Sequence, residues 1–508
     1  MKTVLKIQQL KTDSNQKVFK TIVLLFILVT SSITLQAQWT QLGQTIEGET
    51  ERDLLGTSVS ISADGSIMAV GAPHQLSTST TYSGYVQVYR QNNGVWTQIG
   101  ADIEGEAVGD YFGASVSLSA DGSIVAIGAP YNDGNAVGSG HVRIFKNTND
   151  VWTQIGDDID GGLSDDIVNG VQLGDLSGFS VSLSADGSIV AIGAQNNSDN
   201  GHYSGSVSIY QNNNGAWVLL GNTIHGQNEE DRLGQSVSLS ADGTMVAIGA
   251  PFNSNTVGEI LVFSFDNSIW AQIGNSIKGE AIGDYTGMSV SLSADGSTVA
   301  VGGFSKKARV YQNNNSTWMQ IGQDIIEQKK NINVSISTDG SYVAVSNPTF
   351  GLQSGYVHIY QNENNVWTAG ANNSIHGNTG DRLGTSLELT ADGSMIAVGS
   401  YHGGTAGVVW SGTAKVYQNT TTLSTQELSK ESISIYPNPT NGVLNLKLTN
   451  NNTSQVFIYD VTGKVIYKRQ FPIERNQLQI DISSFKNGMY FMKIQEGNSI
   501  LSTKIVKI

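Results

Sequence analysis

From residue 58 the chain alternates apolar and polar positions in short runs, with turn residues between them. Residues 58–62 (Ser-Val-Ser-Ile-Ser) alternate, Ala63-Asp64-Gly65-Ser66 turns the chain, and residues 67–72 form a second run. After a variable loop come residues 85–90, the turn Gln91-Asn92-Asn93-Gly94, and a fourth run at 95–99. Alternation with period two marks half-buried strands. Asp-Gly and Asn-Gly between such runs mark hairpins, because glycine accepts the positive φ of a tight turn. The unit therefore predicts four short antiparallel strands, the plan of a propeller blade.

The unit recurs. Ser-Ala-Asp-Gly or a near variant carries Asp64, Asp121, Asp186, Asp242, Asp295, Asp339 and Asp392. A second series places Trp39, Trp96, Trp152, Trp217, Trp270, Trp318 and Trp367 in Trp-Thr-Gln-Ile-Gly or a variant. Seven members in each series predict an all-β, seven-bladed propeller. The seventh unit supplies runs at 386–389, 395–399 and 414–418 but has no tryptophan run after them. The first unit already owns Trp96, so the strand beginning at Trp39 is left over. It should complete the seventh blade and close the ring, leaving no open sheet edge. Serines alternate with apolar residues in the inner strands, as in Ser117-Leu118-Ser119, and small side chains let blades approach closely. The tryptophans read as packing residues between blades.

The ends differ from the middle. Lys2, Lys6, Lys11, Lys17 and Lys20 precede an apolar run at 21–29, and Leu35-Gln36-Ala37 precedes Gln38. This is the order of an export signal, residues 1–37, with cleavage between Ala37 and Gln38. The run is shorter than the roughly 20 residues a membrane helix needs, so an integral membrane protein is not expected after signal removal. Residues 38–419 are assigned to the propeller, and the polar stretch 420–432 reads as a linker. Residues 433–508 alternate in short runs split by turns, which predicts a small β-sandwich. Charge reverses there, with ten Lys/Arg against five Asp/Glu from residue 429 to the end.

Two resemblances follow from particular residues. Tyr436-Pro437-Asn438-Pro439 with Gly442, the turn from Ile458-Tyr459-Asp460 to Gly463, and Asn487-Gly488-Met489-Tyr490 closely resemble the C-terminal sorting domain of type IX (Por) secretion, type A. The resemblance implies a Gram-negative bacterium, Sec export, and passage across the outer membrane with the type IX machinery as partner. It further implies a product that is released or held at the outer cell surface. Phe112-Gly113-Ala114-Ser115-Val116 followed by Gly128-Ala129-Pro130 resembles the FG-GAP repeat of integrin-α-type propellers, and Gly71-Ala72-Pro73 and Gly249-Ala250-Pro251 repeat its second half.

Composition narrows the chemistry. The chain has 508 residues and no cysteine, which excludes disulfides, thiolate metal sites and cysteine nucleophiles. A net charge of −15 speaks against a nucleic-acid partner. An Asp-x-x-Gly step precedes the inner strand in six units, at Asp53, Asp110, Asp175, Asp231, Asp284 and Asp381. One copy per blade points to a turn carboxylate that accepts backbone N–H bonds rather than to a convergent site. Integrin-type propellers hold calcium in acid-rich loops between the first two strands. Here that turn carries a single acid, so no cofactor is expected, and residues 104–110 and 157–166 are the remaining calcium candidates. The histidines show no metal spacing, and no nucleophile-elbow or zinc-protease motif occurs. No enzyme is expected. Variable loops carry Tyr82, Tyr111, Tyr131, Tyr203, Phe252, Tyr285, Phe350, Tyr401 and Trp410, which would suit a glycan or protein surface. The expected function is non-catalytic binding or adhesion to an extracellular protein or polysaccharide. The alternatives are an extracellular carbohydrate-active enzyme or a structural surface component.

Overall fold

The computed structural model describes residues 39–73, 83–168, 170–404, 410–420, 433–448, 454–459, 465–471, 477–486, 488–496 and 499–508. The expected signal at 1–37, its cleavage site at Ala37 and Gln38, Tyr82, Gly463 and linker residues 421–432 lie outside them. The chain divides into two compact units, Met1–Asn419 and Thr420–Ile508.

The first unit is a seven-bladed β-propeller. In the first blade the strands Ser58–Ile61, Ile67–Ala72, Tyr85–Asn92 and Val95–Gln98 lie side by side in sequence order, and six further sheets repeat the plan. The strand Trp39–Gln41 closes the ring. It pairs antiparallel with Thr413–Asn419 of the seventh blade, Trp39 opposite Asn419 and Gln41 opposite Tyr417. Two features were missed by sequence reasoning. A two-residue strand such as Ile46–Glu47 or Ile103–Glu104 adds to the third strand of most blades, too short to show a period. Residues 157–166, read as an acidic loop, contain the start of a hairpin, Leu163–Val168 with Val171–Gly174.

The blades are held by repeating contacts that the motifs create. The inner-strand serines do more than leave room. Ser60 Oγ accepts the backbone N–H of Leu118 in the next blade at 2.9 Å, and Ser117, Ser182, Ser238, Ser291 and Ser335 repeat the bond to their neighbours. The alanine of each Ser-Ala-Asp-Gly turn donates its N–H to the same carbonyl of the next blade. The chain of bonds runs from Ala63 through Ala120, Ala185, Ala241, Ala294, Thr338 and Ala391 back to Ala63, at 2.8 to 3.1 Å. Six tryptophans add a bond at the outside. Trp152 Nε1, for example, donates to Ile99 O of the preceding blade at 2.9 Å. The apolar core lies between blades. One cluster joins Ile67, Val86 and Val88 of the first blade to Val116, Val125 and Ile127 of the second.

The second unit has a three-stranded sheet (Ile433–Tyr436, Val443–Leu448, Gln477–Asp481) and a four-stranded sheet (Val465–Phe471, Ser454–Tyr459, Gly488–Glu496, Ser499–Lys507). Leu444, Leu446 and Ile480 of the first and Val456, Ile458, Met492 and Ile505 of the second form one fully buried cluster. Among the described residues no helix is long and apolar enough to cross a membrane.

Candidate functional site

Antiparallel order fixes which loops share a face. The start of each inner strand and the loop between strands two and three lie at one end of the blade, and the two hairpin turns lie at the other. The six Asp-x-x-Gly carboxylates therefore stand on the loop face, one per blade. Asp53 accepts Thr50 N at 2.7 Å and the Tyr85 hydroxyl at 2.9 Å. Asp110 accepts Ala107 N and Asn132 Nδ2, both at 3.0 Å. Asp175 accepts Gly162 N at 3.0 Å. Asp231 accepts Asn228 N and Asn253 Nδ2, both at 2.9 Å. Asp284 accepts Ala281 N and Asp381 accepts Asn378 N, both at 2.9 Å. In five blades the backbone bond closes a tight turn, while Asp175 bridges the base of the inserted hairpin; the next residue takes a left-handed conformation in all six: Leu54, Tyr111, Leu176, Arg232, Tyr285 and Arg382.

That repeated residue explains the loop aromatics. In four blades its side chain meets the residue about twenty positions on, just past the second strand. Tyr111 lies 4.8 Å from Tyr131, and Tyr285 lies 6.1 Å from Phe304. Arg232 covers Tyr203 and Phe252 at 5.0 and 5.1 Å, and Arg382 covers Tyr401 at 5.4 Å. Phe252 also touches Tyr285 of the next blade at 5.1 Å. The seventh blade extends the pattern into a stack. Tyr401 leans on His402, His402 lies parallel to Trp410 at 4.7 Å, and Arg52 caps Trp410 at 5.7 Å. Burial, with Arg382 nearby, lowers His402 to about 4, so the imidazole in the stack is neutral near pH 7. Phe350 instead packs edge-on against Tyr356. The aromatics thus form separate small groups around one face, with Tyr131, Phe304 and Trp410 the most exposed at 45, 42 and 42%. Phe304 and the arginines were not singled out in sequence; the spacing from the Asp-x-x-Gly step is the signal that marks them.

The axis is a channel of about 300 Å³ lined by the repeating Val-Ser-Leu of the inner strands. Glu388 stands where the other six blades have serine and is the one acid in that lining. Its carboxylate accepts Ile61 N at 2.8 Å, at the seam between the last blade and the first. Burial pushes its pKa up to about 7, against the opposing effect of the Ser60 and Ile61 hydrogen bonds.

The two acidic stretches named as calcium candidates meet at one place. Glu106, His141 and Asp158 bring a ligand atom each within 4.8 Å of one another. His141 opens the third strand of the second blade, opposite Asp160, and is 1% exposed. Burial lowers its pKa, outweighing the carboxylates Asp158, Glu106 and Asp110 that would raise it. The exposed carboxyl of Asp160 is raised, by partial burial and the nearby Asp158, against His141.

In the second unit the sorting motif pins the final strand. Asn438 Oδ1 accepts Val506 N at 2.9 Å, Thr440 N donates to Val506 O at 2.9 Å, and Ile508 N donates to Thr440 O at 3.0 Å. Ile482 N donates to Gly442 O at 2.6 Å, tying the turn after Pro439 to the opposite strand. Tyr436 ends the first strand, half exposed before Pro437, and Gly488 begins the long strand Gly488–Glu496.

Comparison with known proteins agrees with both resemblances. Residues 434–508 match the secretion system C-terminal sorting domain, and residues 104–145 match the FG-GAP repeat. The first match marks export by type IX secretion to the cell surface or extracellular space of a Gram-negative bacterium. No curated protein matches the chain. Among solved structures, a chain of Kuenenia stuttgartiensis hydrazine synthase is similar with 11% identity and a TM-score of 0.46, over 71% of this chain and 95% of that one.

Proposed function

We propose that the propeller is a non-catalytic binding module, exported by its sorting domain, and that its loop face engages an extracellular polysaccharide or protein. The observation that carries this reading is the pairing of exposed rings with neighbours that hold them. Tyr131 is 45% exposed but rests on Tyr111, and Trp410 is 42% exposed but rests on His402. A flat ring fixed before binding loses little freedom when a sugar or side chain stacks on it. Arg52, Arg232 and Arg382 beside the rings add donors for hydroxyls and carboxylates. A glycoside hydrolase would need two carboxylates about 5–10 Å apart across a substrate. Glu388 has no second acid beside it in the described channel lining, so the channel does not supply such a pair.

The test is an array of polysaccharides and matrix proteins probed with the full chain and with the double variant Tyr131→Ala, Trp410→Ala. Saturable binding that weakens at least about tenfold in the folded variant is expected, since stacked rings contribute roughly 1–3 kcal/mol. Binding that the double variant retains unchanged would remove the aromatic face from the account. Hydrolysis of any arrayed glycan would replace the binding reading with the enzymatic one.

A further inference from the structure

The second and fifth blades carry the same pair of carboxylates and fill the space between them differently. Glu106-Ala-Val-Gly-Asp110-Tyr111 corresponds to Glu280-Ala-Ile-Gly-Asp284-Tyr285, and Trp152-Thr-Gln-Ile-Gly-Asp-Asp158 to Trp318-Met-Gln-Ile-Gly-Gln-Asp324. The ladders align His141 with Lys307, because these residues open equivalent strands opposite Asp160 and Ile326. In the fifth blade the pair is neutralised from within. Lys307 Nζ lies 2.6 Å from Glu280 and 2.9 Å from Asp324. Arg309 reaches the same two carboxylates at 2.6 and 2.9 Å.

In the second blade the lysine is gone and the arginine pairs with the two carboxylates only at longer range. The lysine is replaced by a buried imidazole whose Nδ1 lies 3.5 Å from Asp158 and whose Nε2 has no hydrogen-bond partner. Arg143, the counterpart of Arg309, turns to Gln154 Oε1 at 3.0 and 3.1 Å and stands 3.7 Å from each of Glu106 and Asp158. What remains is a carboxylate pair with one arginine at 3.7 Å in place of two cations within 2.9 Å, and a buried imidazole with an unpartnered nitrogen where the lysine stands in the fifth blade. We infer that Glu106, His141 and Asp158 bind one divalent transition-metal ion of the Zn²⁺ type.

The geometry suits such an ion. Tetrahedral N and O ligands at about 2.0–2.2 Å sit roughly 3.4 Å apart. Three atoms within 4.8 Å of one another reach that spacing with small side-chain movements. The imidazole donor selects Zn²⁺ over calcium, which takes six to eight oxygens. The ion would tie the loop before the second blade to that blade's third strand and to the turn after its fourth.

Calorimetric titration of the chelator-treated full chain with ZnCl₂ tests this, alongside His141→Lys and Glu106→Gln. The lysine variant copies the fifth blade; Glu106, with its side chain 48% exposed, can be changed with little risk to folding. Melting curves establish that each variant folds. One Zn²⁺ per chain is expected, with a raised melting temperature, lost in His141→Lys and weakened at least tenfold in Glu106→Gln. Absence of binding by the unaltered chain overturns the inference. So does undiminished binding by either folded variant. Competition by CaCl₂ at equal concentration overturns the donor assignment.

Discussion

Glu388 is a single residue that breaks a sevenfold pattern. Six blades satisfy the inner N–H of the next blade with a serine hydroxyl, and the seventh uses a carboxylate placed against Ile61 N. The group titrates at 4.5 when free and at about 7 in the fold, because burial disfavours its charge. Between those values the folded chain keeps a proton that the unfolded chain has released, so this group lowers stability as pH rises through the interval and leaves it level above. Glu388→Ser should restore the repeat. The variant should gain stability relative to the parent as pH rises from about 5 to about 8, measured by urea midpoints at both ends. A difference that stays constant across the interval would show that Glu388 titrates normally in the fold.

At the scale of the element, the Asp-x-x-Gly turn governs how each blade begins. The same turn occurs buried and half-buried. Asp231 is 3% exposed and holds two backbone N–H groups and Asn253 Nδ2. Asp284 holds two backbone N–H groups but is half exposed, where water can replace it. Asp231→Ala should therefore cost about 2–3 kcal/mol and Asp284→Ala about 1 kcal/mol or less, by urea denaturation. Equal losses would mean that the turn acts through chain conformation rather than through buried donors. The hairpin turn at the other end is a local device too. Asp64 accepts Ser66 N at 2.9 Å and the hydroxyls of Ser62 and Ser66, and these bonds outweigh burial and hold its pKa below the usual value. Side-chain partners such as Asn253 lie farther off, but both turns are legible in the sequence because, Asp175 apart, the backbone N–H groups their carboxylates accept lie within four residues. The two-residue fifth strands were not, because a pair of residues has no period.

At the scale of the whole molecule, the ring is a closed circuit. Each blade binds two neighbours; the Ala63-to-Ala391 chain of bonds returns to its start at the inner turns, and Trp39–Gln41 closes the seventh sheet at its outer edge. Deleting residues 39–47 would strip Thr413–Asn419 of the strand Trp39–Gln41 and of Ile46–Glu47, leaving an open edge. The shortened chain should lose stability and self-associate, seen as a lower urea midpoint and early elution in size exclusion. A monomer of unchanged midpoint would mean that closure contributes nothing. The seam shows in the tryptophan series. Trp39 Nε1 has no acceptor, whereas the other six indoles bond to the residue three past the preceding tryptophan. The sixth blade departs there, with Thr-Ala-Gly after Trp367 and a strand that runs on to His376.

The sequence by itself determined the number of blades, the hairpins, the strand that closes the ring and the sorting tail. Each of these depends on local turn chemistry or on a period that any unit repeats. Only the tertiary structure decided which side chains meet. Tyr111 finds Tyr131 across a strand pair, and the carboxylates 106 and 158 converge on His141 from loops about fifty residues apart. The step of about twenty residues behind the first recurs in four blades, but no strand or helix period marks these meetings. They depend on how far each loop reaches and on which residue fills one position in one blade, and His141 in place of Lys307 changes the charge of the site without disturbing the repeat.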